Sequence, residues 1–426
     1  MSLLGTGHTP QAGTTAEAEA LIAEARARAR RRRRRIAVAV VGALAVAAGG
    51  LAAVGGFPFS RPASTGHSRT AGAIVGPASP PPYFIEASTA GSAYSAPVIR
   101  ASASGKLVAP TAVGNLDDYD PPYGLAATGP DSFVVGLMTP SDCSTQFFRF
   151  QINDRGRPGA LTRVGPTLPG ELTSMAATAG GGLIAYAIDG DGCANARKDG
   201  SYLGVLDPAN GRTRQWTDAP KYLSQLSMSA NGRLLAFTQM LTRPAPGSGG
   251  GYEILGYQVR VLATDGAPGP VERRSRVAAT ISPQDSMFAT PTALLSATGT
   301  SFYLCTEPFA LPARGTKKIT DNAKIVVYRT ATGKATGVLA AWSASYPQNN
   351  NGGDAPLALS CSSMALDPSG RFLLVPYLET FGNPYQPPPV GSLTAARIDT
   401  ATGATTKWTV PYGGQGEVQG TMSVAW

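Results

Sequence analysis

The chain has 426 residues, of which 43% are hydrophobic and 15% charged, with 51 Gly, 35 Pro, 4 Cys and only 2 His. It is too apolar for a disordered chain and too long for one ordinary domain, and so little charge beside so much Gly and Pro excludes helical bundles and coiled coils. The formal charge of +9 does not mark a nucleic-acid binder, because much of it sits in Arg26, Arg28 and Arg30 to Arg35, against Glu17, Glu19 and Glu24, and the remainder of the chain is too weakly basic to track a phosphate backbone.

Residues 1–35 form an Arg-rich tail. Thr14 and Glu17 have capping-box spacing, and the Ala/Glu/Arg sequence after them favours a helix. Ile36 to Gly56 reads IAVAVVGALAVAAGGLAAVGG, 21 residues without a charge, which as a helix spans about 30 Å, enough to cross a bilayer once. The positive-inside rule then keeps the tail cytoplasmic and sends the rest outside, a type II topology in which the arginine collar also grips anionic lipid. The alternative is a cleaved signal peptide and a secreted protein, since Ala43-Leu44-Ala45 and Ala45-Val46-Ala47 both offer small-x-small sites. Residues 57–81, rich in Pro, Ser, Thr and Gly, cannot form a core and read as an extended stalk.

From Pro82 onward the chain repeats a unit of short apolar strand, Gly turn, second strand, variable loop, and a further hairpin. The first hairpin appears from Tyr123, Ser174, Leu226, Ala293 and Ser363, with turn glycines Gly129, Gly180, Gly232, Gly299 and Gly370 spaced 51, 52, 67 and 71 residues apart. Tight hairpins demand positive φ, which glycine adopts without strain. A four-stranded meander of this length is one propeller blade. PYFIEAS, APVIRAS and KLVAPT near the start and TMSVAW at the end complete a sixth unit if the last strand pairs with the first, which closes the ring and removes its edges. The expected fold is an all-β, six-bladed propeller over 82–426, with seven blades if residues 277–292 hold further strands. A two-sheet sandwich is the alternative.

These units resemble the bacterial β-propeller repeats of the WD40-like and YVTN families, with Asp207-Pro-Ala-Asn-Gly211 and Asp399-Thr-Ala-Thr-Gly403 similar to the Asp-x-x-x-Gly hairpin common there. The whole arrangement is similar to the membrane-anchored extracytoplasmic propellers of high-GC actinobacteria. That resemblance implies a fold and a location, and no particular reaction.

Cys143 and Cys193 fall at matching places in neighbouring units, while Cys305 ends a strand of one unit and Cys361 begins the next. Disulfides Cys143–Cys193 and Cys305–Cys361 are expected, in keeping with an oxidising compartment.

Tight first and third turns leave the long connections, 188–201, 241–254, 306–323, 343–358 and 378–392, together on one face, the natural place for binding residues. The candidate ligand face comprises Asp117, Asp118, Asp120, Asp189, Asp191 and Asp354, with Asp142, Tyr385, Arg197, Lys198, Arg314, Lys317 and Lys318 among them. Asp189-Gly-Asp191-Gly begins like a calcium loop, but Cys193 occupies its fifth position and no Glu its twelfth. Zinc spacing and a phosphate loop are lacking, so no cofactor is expected. Both histidines, His8 and His67, precede the repeats, which removes imidazole-based nucleophilic catalysis. The expected function is a membrane-tethered binding module for a protein, peptide or cell-envelope glycan. The alternative is a histidine-independent, glycosidase-like hydrolase using two loop-face carboxylates.

Overall fold

The computed structural model describes residues 79–87, 89–90, 93–94, 97–111, 113, 120–139, 141–190, 200–220, 223, 225–245, 252–285, 291–307, 318–347, 364–381, 390–410 and 423–426. The tail, the apolar run 36–56 and nearly all of the stalk lie outside these residues. No helix among the described residues is long and apolar enough to cross a membrane. The chain divides into a main unit, Gly66–Leu241 with Gly256–Trp426, and a second unit, Met1–Thr65 with Thr242–Leu255. Within the second, Arg243 pairs with Glu253 at 2.7 Å.

The main unit is a six-bladed β-propeller. Blade 1 comprises Asp120–Ala127, Ser132–Thr139, Ser144–Gln151 and Thr162–Pro169. Blade 2 comprises Glu171–Ala177, Ile184–Asp189, Tyr202–Asp207 and Arg212–Thr217. Blade 3 is Ser227–Met228, Leu234–Pro244, Tyr252–Ala263 and Ser275–Ile281. Blade 4 is Ala293–Leu295, Ser301–Thr306, Lys318–Arg329 and Ala335–Pro347. Blade 5 is Ala365–Leu366, Phe372–Phe381, Val390–Asp399 and Thr405–Val410. Blade 6 takes its innermost strand, Ser423–Ala425, from the end of the chain, and Tyr83–Ala87, Val98–Ala101 and Leu107–Pro110 from the start. The ring closes antiparallel, with Ile85 opposite Ala425, Glu86 opposite Val424 and Ala87 opposite Ser423.

Blade strands are buried on both faces, which is why the second strands read as unbroken apolar runs rather than as alternation. Phe133, Val135 and Leu137 turn toward blade 6 and pack with Ile85, Ile99 and Ala425. Val134 turns the other way, into a cluster with Met175, Ile184 and Tyr186 of blade 2. Each such side chain, fully buried, contributes about 1.5–3 kcal/mol.

The first hairpins differ from expectation in one detail. Gly232, Gly299 and Gly370 have φ near +70, and their N–H groups donate to the carbonyls of Ser229, Ser296 and Asp367. In blade 2 that position is held by Gly181, which donates to Thr178 O, rather than by Gly180. Gly129 is not at positive φ. Its hairpin is one residue shorter, running from Thr128 N to Ser132 O, where the others run from Thr178 to Leu183 and from Ser229 to Leu234, so no left-handed residue is needed.

The connection between the last two strands of blade 3 is also not a tight turn. Gly269–Pro270 leaves the blade to pair parallel with Trp216–Thr217 of blade 2, one helical turn comes next at Val271–Arg274, and the fourth strand is Ser275–Ile281. The repeat pattern alone ends that hairpin, YQVRVLATDGAPGPVERR from Tyr257, at Arg274, before the fourth strand begins. Residues 275–281 therefore complete blade 3, and no seventh blade arises from 277–281. Several stretches expected to be loop are strand instead: the hairpin of blade 3 runs on to Pro244 and resumes at Tyr252, and that of blade 4 starts at Lys318.

Adjacent hairpins and blades are stapled at the turns. Thr264, Thr330 and Thr400 donate backbone N–H groups to Arg233, Thr300 and Arg371 carbonyls at 2.8–2.9 Å. Blade 2 has Pro208 at this position and, with no N–H, cannot make the link. Arg149, Arg214 and Arg276 each reach the next blade, donating to Gly181 O at 3.0 Å, Thr264 O at 2.7 Å and Thr330 O at 2.5 Å.

Candidate functional site

The antiparallel meander puts the first and last hairpin turns of every blade on one face, the turn face, and the middle and inter-blade connections on the other, the loop face. Asp142 lies on the loop face of blade 1, where it accepts the Ser144 hydroxyl at 2.8 Å. Cys143 beside it adopts φ +51, in the left-handed region that costs a non-glycine residue about 1–2 kcal/mol. Its carbonyl accepts the Gly170 N–H at 2.7 Å, and the Gly170 carbonyl in turn accepts Thr145 Oγ1 at 2.8 Å. Gly170 is the whole connection between blades 1 and 2, so here the inter-blade link is short, not long as expected. A Cβ on Gly170 would crowd Ile188 and the Asp189 carbonyl. The chain therefore brings the Asp142–Cys143 turn and Asp189 to adjoining positions.

Asp189 ends the second strand of blade 2 and accepts the Ser201 hydroxyl at 3.0 Å. Asp120 starts the innermost strand of blade 1, opposite Met138, and Lys318 starts the third strand of blade 4. Asp117, Asp118, Asp191, Asp354, Tyr385, Arg197, Lys198, Arg314 and Lys317 lie outside the described residues, as do Cys193 and Cys361. Neither Cys143 nor Cys305 is a free thiol. Among the described residues no three His, Cys, Asp or Glu side chains converge on a point where a metal could sit.

The structure adds groups to this face that sequence reasoning missed. Glu307, buried just past the second strand of blade 4, donates its N–H to Asp285 O at 2.8 Å. The Tyr257 hydroxyl of blade 3 is pushed up to about 12, first by burial and then by the Glu307 charge. Their positions are 50 residues apart in the chain, and only the packing of blade 3 on blade 4 couples them. The tryptophans fill blade-packing sites: Trp216 is fully buried with its indole N–H on Ala267 O at 3.2 Å, and Trp408 packs against Phe84 at 6.4 Å between ring centroids. Trp342 stands five residues before the end of its strand at Pro347.

No protein-family pattern matches the chain, and no curated protein matches it. Among solved structures it is similar to TolB from Acinetobacter baumannii, at 12% identity and a TM-score of 0.42 over 80% of this chain and 66% of that one. It is also similar to the putative TolB from Agrobacterium tumefaciens, at 10% identity and a TM-score of 0.37 over 78% and 91%. The tricorn protease gives 13% identity and a TM-score of 0.38 over 77% of this chain and 30% of its own.

Proposed function

We propose that this chain is a membrane-tethered, extracytoplasmic propeller that presents its loop face as a binding module for a protein, peptide or cell-envelope glycan. The observation that supports this most is ring closure: pairing of Ser423–Ala425 with Tyr83–Ala87 makes a rigid scaffold on which the variable connections share one face. The tether rests on the charge-free run 36–56 behind its arginine collar, and the outward topology on the positive-inside rule. Disulfides Cys143–Cys193 and Cys305–Cys361 belong to the same reading, as does kinship with actinobacterial anchored propellers. The first of those bonds would pin two adjoining loop-face connections.

Within this reading Asp117, Asp118, Asp120, Asp189, Asp191 and Asp354 form the ligand face. Alanine substitutions at Asp117, Asp120, Asp189 and Asp354, followed by capture of envelope material from crosslinked membranes, test it. The expected result is loss of capture with an unchanged melting temperature. Capture indifferent to all four would sink the assignment, and turnover of a glycan that these substitutions abolish while binding persists would make the protein a hydrolase.

A further inference from the structure

The turn face carries a charge signal of its own. Arg212, Arg233, Arg329 and Lys334 stand exposed in the turn-face connections of blades 2 to 4. Arg214 spans from blade 2 to Thr264 and Arg276 spans from blade 3 to Thr330, so these connections adjoin one another. Among the described residues the ion pairs are Arg100–Glu86, Arg243–Glu253 and Arg371–Asp399, none of which involves these four cations. The carboxylates in these connections are Asp207, which accepts the Ala209 N–H and the Asn210 amide and keeps its charge, and Asp265. Such an excess of one sign attracts an anionic partner.

A second observation identifies the partner. The ring is entered from this same face: Pro82 O accepts the Ser102 N–H at 2.8 Å beside the blade 6 turn, and Tyr83 Oη donates to Asp154 O in the blade 1 turn at 2.9 Å. The sequence that holds the apolar run 36–56 thus joins the propeller on its cationic side. We propose that the turn face of blades 2 to 4 docks on the anionic phospholipid headgroups of the bilayer that residues 36–56 enter, so that the loop face points away from the membrane. This rests on the tether reading above. Three of the four cations are arginine, whose planar guanidinium pairs bidentately with phosphate oxygens. Among the described residues, the exposed large apolar side chains on these blades' outer strands are Val277 and Val338, aliphatic groups suited to a headgroup boundary and not to base stacking.

The test uses the full-length chain with vesicles of phosphatidylcholine alone or containing about 30% phosphatidylglycerol, read by hydrogen exchange at 207–217, 264–281 and 329–339. Exchange there is expected to slow several-fold on the anionic vesicles only, and to recover in about 0.5 M salt. The combined variant Arg212→Gln, Arg233→Gln, Arg329→Gln, Lys334→Gln should lose that protection while melting as the parent does; its unchanged tail controls for the arginine collar. Stable association with both vesicle types and no difference in protection would overturn the docking and leave the tether standing. Association with anionic vesicles only, with the same protected segments, would support the docking and remove the tether. Association with neither would end both, and equal protection by a single-stranded oligonucleotide would replace lipid with nucleic acid as the partner.

Discussion

The indole of Trp426 donates to the hydroxyl of Ser102 at 2.9 Å, across 324 residues of sequence, inside the seam that closes the ring. Trp426 is fully buried and lies 6.2 Å from Phe372, ring to ring, so one side chain ties blade 6 both to itself and to blade 5. Trp426→Ala is expected to destabilise the fold by about 3–5 kcal/mol, as for other buried aromatics. Ser102→Ala, which leaves the indole N–H unmatched, should cost about 1–3 kcal/mol. Denaturant midpoints check both, and a Trp426→Ala protein as stable as the parent would show that closure does not hold the ring.

Acid should act at the same seam. Burial pushes the Glu86 carboxyl above its ordinary value of 4.5, although the Arg100 charge and hydrogen bond pull it down. A carboxyl raised in the folded state binds its proton more tightly there than in the unfolded chain. Its stabilising effect is complete below 4.5 and is lost as pH rises through the folded value. Glu86→Gln should therefore be at least as stable as the parent at neutral pH and should flatten the stability profile above 4.5. A large loss of stability at pH 7 would show that the Arg100 pair outweighs burial.

Asp399 behaves oppositely. Burial raises its carboxyl, but the N–H groups of Thr402 and Ala401 and the Arg371 guanidinium together hold it below 3.8. Its contribution is present above that ordinary value and is lost as pH falls through the lower folded one. Asp399→Asn should weaken the parent's acid unfolding limb, measured by fluorescence between about pH 2 and 4.

At the alkaline end, Tyr257, raised to about 12, keeps its proton in the folded chain after the unfolded chain has lost it. Stability should decline as pH rises above 10, and Tyr257→Phe should remove that part of the decline. An identical alkaline profile in the variant would remove Tyr257 from the account.

The two kinds of first hairpin supply a paired test. Gly232 sits at φ +70, where a Cβ would also press on Leu183; Gly129 is not at positive φ, and the nearest atom a Cβ would meet is 3.4 Å away. Gly232→Ala should lower stability by about 1–2 kcal/mol, whereas Gly129→Ala should leave the melting temperature nearly unchanged. Equal effects would contradict the difference in turn length.

Much of this architecture is legible in the residues alone. Apolar runs such as Phe133 to Leu137 and Phe372 to Val375 announce strands buried on both faces, turn glycines mark the repeat, and the MSVAW ending looks like an inner strand because a blade leaves that strand the same environment in every copy. The candidate carboxylates could be named, but not their grouping, since that depends on loop conformation rather than on any local period. Local signals could not foresee that Gly269–Pro270 would cross to blade 2, because parallel pairing with Trp216 is a long-range choice. Nor could they couple Tyr257 to Glu307, or gather Arg212, Arg233 and Lys334 from separate blades onto one face. Sequence determines what each segment can bury; only the closed ring decides which charges become neighbours, because electrostatic fields follow distance in space and not separation along the chain.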